Sequence, residues 1–274
     1  MTKVIFFDID GTLVTPKNHL PKSTKTTIEN LQKAGHIPVL ASGRHPRMLA
    51  AIADALDVSS YISLNGQYIV AEGQHIYSNP LPTDTIERLI STSYEFGDRT
   101  FLLTAEKIIG NTFMEELMDP EFLTFTYEQM SQVSVEAQFE LFKRMTEKPL
   151  SKTKYEKEEV LSAYIHITEE SDALYQEQFP DLHITRATPL LGEASMKGSH
   201  KAAGMERIVD YFDLDWKNTI AFGDSLNDLE MVKAADIGVA MGNGREELKA
   251  VADYVTSSVE ADGIYQAVKH LELI

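Results

Sequence analysis

Short continuous apolar runs alternate along this chain with stretches whose apolar residues recur at helical spacing. The run Val4-Ile5-Phe6-Phe7 stops at an acidic turn, and Ile37-Pro38-Val39-Leu40-Ala41 stops at Ser42-Gly43-Arg44. Runs without polar alternation suit strands buried on both faces of a parallel sheet. The pattern predicts strands over 3–7 and 37–41, helices over about 23–34 and 46–56, and a strand over 61–64 that leads into a hairpin through Val70 and Ile76. Strands interleaved with helices in this way read as βαβ units.

Pro80 and Pro82 break the pattern and mark a linker into a second unit over 83–186. Its expected elements are a helix over 84–97, strands near 100–110 and 122–127, and a helix near 135–147. A strand over 160–167, a helix over 169–178 and a strand over 182–186 follow. The lysine-rich stretch 147–159 has acids interspersed and reads as a solvated loop. Phe122, Phe125 and Tyr127 read as core rather than a stacking platform. The chain returns through Thr188-Pro189, enters a helix over about 198–211, and finishes in alternating strands and helices. The expectation is therefore an α/β core over 1–82 and 187–274, interrupted by an α/β insertion over 83–186.

Composition narrows the functions available. With 274 residues and 43% hydrophobic content, a sizeable core is expected. The net charge of −17, from 25 basic and 42 acidic residues, argues against nucleic acid and anionic membranes as partners, which need basic patches. It does not bar a small phosphorylated metabolite, because charge is screened over distance while local cations act at short range. Cysteine is absent, which excludes disulfides, thiol nucleophiles and cysteine-ligated zinc. The chain enters a strand at once and has no run long enough for a membrane span, so neither a signal peptide nor a membrane anchor is expected and the expected location is cytoplasmic. The histidines, among them His36, His45, His166, His183 and His200, show no metal-ligand spacing.

The chemistry concentrates where apolar strands end. The first strand runs into Asp8 and Asp10, followed by Gly11 and Thr12. Open parallel sheets place their chemistry beyond the carboxyl ends of their strands. Two acids two residues apart there suit a hard divalent cation, and leave one carboxylate to act as nucleophile and the other as acid or base. An ordinary solvated Asp-Gly turn would look the same in isolation. After the second strand, Ser42 and the neighbouring backbone N–H groups, Gly43 included, can hydrogen-bond a phosphoryl oxygen, and the Arg44 fork can reach a phosphate or carboxylate. Lys201, at the start of a helix, can add a point charge for an anion, with Lys197 as a rival. Finally Thr219-Ile220-Ala221-Phe222-Gly223 ends in Asp224, with Asn227 and Asp228 shortly after. Carboxylates this close repel unless a cation or ammonium lies between them.

Taken in order, Asp8-Ile9-Asp10-Gly11-Thr12, Ser42-Gly43-Arg44, Lys201 and Gly223-Asp224-Ser225-Leu226-Asn227-Asp228 resemble the four signatures of the haloacid dehalogenase-like superfamily of phosphotransferases. The resemblance is nearest to its Cof-type phosphatases, in which a type IIB α/β cap is inserted into a Rossmann-like core. Gly198-Ser199-His200-Lys201, Asn65-Gly66, Ala240-Met241-Gly242-Asn243 and Ala252-Asp253-Tyr254-Val255-Thr256 look like that branch too. Gly244 and Gln67 depart from it: the branch usually has alanine at the first position and alanine or a similar small residue at the second. The resemblance favours Lys201 over Lys197. It implies Asp8 as nucleophile, Asp10 as acid and base with Thr12 orienting it, and Ser42, Lys201 and Asn227 on the phosphoryl oxygens. It also implies Mg²⁺ held by Asp8, the backbone carbonyl of Asp10 and Asp224, with Asp228 on Lys201 or on a metal-bound water. The implied activity is hydrolysis of small phosphate monoesters through an aspartyl-phosphate. A sugar phosphomutase shares the same constellation, and a non-catalytic phosphometabolite sensor is the reading from another class. A dehalogenase would have no use for the acid/base function of Asp10. The substrate falls to the insertion, where the motifs stop.

Overall fold

The structure, a computed structural model, describes residues 2–17, 19–110, 149–167, 171–188 and 191–274. The expected strand near 122–127 and helix near 135–147, with Phe122, Phe125 and Tyr127, lie outside the described residues. Along the chain, β1 Val4–Phe7, α1 Lys22–Lys33, β2 Ile37–Ala41, α2 Pro46–Leu56 and β3 Tyr61–Ser63 come first, then β4 Tyr68–Ala71 and β5 Gln74–Ser78. Next are α3 Thr83–Glu95, β6 Arg99–Leu103, β7 Ile108–Ile109, β8 Ser162–His166, α4 Asp172–Gln178, β9 Leu182–Thr188 and β10 Leu191–Met196. The chain closes with α5 Lys201–Tyr211, β11 Thr219–Gly223, α6 Leu229–Ala234, β12 Ile237–Ala240, α7 Glu246–Lys249, β13 Tyr254–Val255 and α8 Gly263–His270. Two compact units result, Met1–Tyr77 with Ser199–Ile274, and Ser78–Gly198.

The first unit is built on an eight-stranded sheet in the order β13-β12-β11-β1-β2-β3-β4-β5. The strands from β13 to β3 pair in parallel, and β4 pairs antiparallel with β3. Every residue of β1 is buried. Ile5 and Phe7 pack on one face with Ile28 and Leu31 of α1, Leu49 and Leu56 of α2 and Ile264 of α8. Val4 and Phe6 pack on the other with Met205 and Ile208 of α5 and Met231 of α6. Helices on both faces are why this strand carries no polar residue until it ends. The ends of α2 follow local chemistry: His45 Nδ1 accepts the Arg47 N–H at 3.3 Å, Pro46 occupies the first turn, and Asp57 closes the helix in the left-handed region at φ 54°.

The second unit carries a five-stranded sheet in the order β7-β6-β8-β10-β9, whose pairings are antiparallel. One face packs Leu102, Ala163, Ile165, Ala194 and Leu182 against Leu89 and Ile90 of α3 and Tyr175 of α4. The insertion is longer than the prolines and Thr188-Pro189 suggest. Leu81, expected in the linker, is buried in this second core. Residues 191–196, expected in the first unit, form β10 and pair with both β8 and β9. Leu191-Gly192-Glu193-Ala194-Ser195-Met196 conceals a strand because its inward residues are small and a glutamate stands in the middle. A Cβ on Gly192 would meet the Ile167 side chain at 2.8 Å, so the small residue there is set by close packing. Among the described residues no helix is long and apolar enough to cross a membrane.

Candidate active site

β1 lies between β2 and β11, with Phe7 level with Leu40 on one side and Phe222 on the other. Asp8, Ser42 and Asp224 each follow one of these three strands, so the register alone brings them to one edge of the sheet. The Asp8 N–H bonds the Phe222 carbonyl at 3.0 Å and continues the ladder one residue past β1, fixing where its side chain leaves the sheet.

Asp8 is 5% exposed and Lys201 1%. The Lys201 ammonium donates to Asp8 Oδ1 at 2.5 Å and to Asp228 Oδ1 at 2.6 Å. Lys201 opens α5, where His200 Nδ1 caps the helix by accepting the Ala203 N–H at 3.2 Å. Asp228 is fully buried, and its second oxygen accepts the N–H groups of Asp224 and Ser225, each at 3.0 Å. It therefore braces the turn that carries Asp224 while pairing with the lysine. Asp224 is half-buried, and its Oδ1 is shielded from solvent and has no hydrogen-bond partner among the described residues. A Cβ on Gly11 would run into the Asp224 carboxylate, and Gly11 sits at φ 85°, so the turn after Asp10 requires glycine on two counts.

One carboxylate oxygen from each of Asp8, Asp224 and Asp228 lies within 4.8 Å of the others. Burial, then the Asp228 charge, pushes the Asp8 carboxyl well above the usual carboxylate range, against the pull of Lys201. The same two causes push Asp224 up to about 6. Burial draws the Lys201 ammonium down, but Asp228 and Asp8 outweigh it and hold the amine above an ordinary lysine. Three carboxylates clustered beside one ammonium, which bonds only two of them, are under-neutralised. A hard divalent cation, which takes carboxylate and carbonyl oxygens, suits both that charge and the orphaned Asp224 oxygen.

The remaining expected residues gather around this cluster. Ser42 is 2% exposed, and its Oγ accepts the Arg44 N–H at 3.2 Å, leaving the hydroxyl hydrogen available to donate. Gly43 packs against the Asn65 amide, which a Cβ there would meet at 3.0 Å. Thr12 is fully buried, and among the described residues its Oγ1 has no hydrogen-bond partner. Asn227 is exposed on the 3₁₀ turn Leu226–Asp228, accepting the Ser225 hydroxyl at 2.5 Å. The Asp10 side chain is not in the carboxylate cluster. It is 60% exposed and lies under the Arg44 fork, with Nε on Oδ2 at 2.9 Å and the second guanidinium nitrogen on Oδ1 at 2.5 Å.

Sequence reasoning passed over two supports. Asn243 donates to the Gly11 carbonyl at 2.8 Å and accepts the Val259 N–H at 2.9 Å, tying the Asp10-Gly11 turn to the segment before α8. The Met241-Gly242-Asn243 segment was visible as a resemblance but carried no role. The turn after β3 grips the Ser42–Arg44 backbone: Ser63 Oγ and Leu64 N donate to the Arg44 carbonyl at 2.6 and 3.2 Å, and Asn65 N donates to the Ser42 carbonyl at 3.0 Å. Leu64 and Asn65 hold φ of 47° and 52°, strain of the kind that collects at functional sites. Of the two departures from the resemblance, Gln67 is fully buried. Gly244 would bring a Cβ within 2.9 Å of the Asp224 carbonyl, so its backbone packs too closely for alanine without a shift.

The model of the haloacid dehalogenase-like hydrolases matches residues 5–268. A Bacillus subtilis (strain 168) protein named "Putative phosphatase YkrA" is 36% identical over 100% of this chain and 99% of its own length. From the same organism, the 5-amino-6-(5-phospho-D-ribitylamino)uracil phosphatase YcsE is 26% identical over 98% of this chain and 95% of its own. The solved structure of BT4131, a subclass IIB sugar phosphatase, superposes with a TM-score of 0.76 at 28% identity, covering 99% of this chain and 100% of that one. Motif order, the acids at the ends of β1 and β11, the buried lysine between them and the inserted α/β unit all agree with these matches: the chain belongs to the haloacid dehalogenase-like hydrolase family, in its Cof-type phosphatase branch.

Proposed function

We propose that the protein is a Mg²⁺-dependent phosphatase that hydrolyses small phosphate monoesters, sugar phosphates or related metabolites, through an aspartyl-phosphate on Asp8. The observation that carries this is the Asp8 carboxylate itself. It is buried at the carboxyl end of the central strand, oriented by a buried ammonium and adjoined by two further carboxylates. A structural ion pair has no need of the extra acids.

In the first step an Asp8 oxygen attacks phosphorus, the bond from phosphorus to the ester oxygen breaks, and Asp10 gives that oxygen a proton. In the second step Asp10 takes a proton from a water that attacks the same phosphorus, releasing inorganic phosphate and restoring the Asp8 carboxylate. Lys201, the Ser42 hydroxyl and the Gly43 N–H offer donors to the phosphoryl oxygens, with Asn227 at the rim. Asp8, Asp224 and the Asp10 backbone carbonyl would hold the metal, with Asp228 behind them. The charge of the metal would let an anionic nucleophile approach an anionic ester. Selectivity for the leaving group is assigned to the inserted unit. Two of the three proteins compared above are named as phosphatases of a sugar phosphate and of a phosphorylated ribityl compound, which favours a phosphorylated polyol or sugar here.

Release of inorganic phosphate from p-nitrophenyl phosphate and from a panel of sugar, polyol and nucleotide phosphates, with Mg²⁺ and with chelator, tests this reading. Mg²⁺-dependent release is expected. Substrate isomerised without net phosphate release would mean a mutase, and binding without turnover a sensor.

A further inference from the structure

Among the described residues, two cations pair with three of the four acids at the site, and they are divided unevenly. Lys201 serves the buried Asp8 and Asp228, while Arg44 serves the exposed Asp10 alone among the four. The Arg44–Asp10 contact is bidentate, a geometry that fixes the plane and direction of a carboxylate as well as its charge. Arg44 is itself unusually constrained. Its N–H is held by Ser42 Oγ, and its carbonyl is held twice, by Ser63 Oγ at the end of β3 and by Leu64 N in the strained turn after it. The stem of the fork is therefore tied to β2 and β3, whereas Asp10 sits on the turn after β1, ahead of a glycine at positive φ. A 60% exposed carboxylate on such a turn has many rotamers open to it.

We propose that Arg44 is a positioning residue for Asp10, holding the acid/base carboxylate at the rim of the site on the side from which the leaving group departs, rather than serving chiefly as an anchor for the substrate phosphate. This rests on the phosphatase reading above. The chemistry separates the two roles. An anchor on the phosphate acts alike on every ester. A residue that aims the general acid matters in proportion to how badly the leaving oxygen needs a proton. Loss of the fork leaves Asp10 near but misdirected, and misplacement by about 1 Å costs roughly 10²-fold.

The test is the leaving-group dependence of phenol release under single-turnover conditions, with Mg²⁺, for aryl phosphates from p-nitrophenyl to p-methoxyphenyl. In wild type, protonation by Asp10 assists the poorer leaving groups and the dependence is shallow. Arg44→Met is expected to lose about 10²-fold on p-methoxyphenyl phosphate and less than tenfold on p-nitrophenyl phosphate. Its dependence should steepen to match Asp10→Asn, and the double variant should fall no further. Arg44→Lys keeps the charge but not the fork, and is expected to steepen the dependence too, which preserves the test should the methionine variant fail to fold. A uniform loss across the series with a raised KM would assign Arg44 to phosphate binding and overturn the proposal. A gain in rate would show that the fork restrains Asp10 and would overturn it equally. A wild-type protein that releases no phenol from any ester would instead overturn the phosphatase reading itself, an outcome distinct from either.

Discussion

Glu193 lies in the middle of β10, 6% exposed, level with Tyr164 on β8 and Thr185 on β9. Its Oε1 accepts the Ser162 hydroxyl at 3.2 Å. Burial pushes the carboxyl from 4.5 up to about 7, and the Ser162 bond only partly opposes this. The sign follows from linkage. Below pH 4.5 the folded and unfolded chains both hold the proton, and the buried acid costs nothing extra. As pH rises from 4.5 through 7 the unfolded chain ionises while the fold retains its proton, so stability is lost across that window and levels off above it. At about 1.4 kcal/mol per pH unit, the gap between 4.5 and 7 corresponds to roughly 3 kcal/mol. Glu193→Gln keeps the shape of the protonated side chain and removes the titration. Urea unfolding of both full-length proteins, followed by far-UV circular dichroism between pH 4.5 and 8 at constant ionic strength, isolates this group. The titrations of Asp98, which burial raises, and of His166, which burial lowers to about 4, cancel in the difference. Relative to wild type, the variant should gain about 3 kcal/mol between the two ends of the range. A difference that stays constant within about 1 kcal/mol would refute the buried, proton-holding carboxyl.

Other outcomes follow from the site. Asp8→Asn should reduce phosphate release by about 10⁴-fold or more while leaving the circular dichroism spectrum intact; retained turnover would remove Asp8 as nucleophile. Asp224→Asn should raise the Mg²⁺ concentration for half-maximal activity by at least about tenfold, read from a metal titration, because it removes a carboxylate ligand. Lys201→Met leaves Asp8 and Asp228 without their ammonium in a buried site. It should lower stability by about 3–5 kcal/mol in denaturant unfolding as well as ending turnover, and an unchanged midpoint would mean the pair is not buried as described.

Much of the first unit was legible because its rules are local. Four apolar residues before an acid make a buried strand wherever they fall, and β1 is buried throughout. Pro46 at a helix start and Asp57 past its end bracket α2 with residues suited to those backbone angles. The acids after β1 and β11 could be placed at one sheet edge from topology alone, since parallel strands present their carboxyl ends together. β10 was not legible, because its burial comes from neighbours on β8 and β9 and not from its own hydropathy. Nor was the full division of charge at the site, where the resemblance had left Asp228 on either Lys201 or a metal-bound water. Lys201 stands 193 positions from Asp8, and Arg44 stands 34 from Asp10. The sequence by itself determined which residue types stand at the strand ends, because turn chemistry and periodicity act over a few residues. Tertiary structure alone decided that the lysine closes on Asp8 and Asp228, that the arginine forks onto Asp10 and that Asn243 ties down the Gly11 turn. Such contacts depend on strand register and helix packing, and side chains far apart in the chain share no local rule.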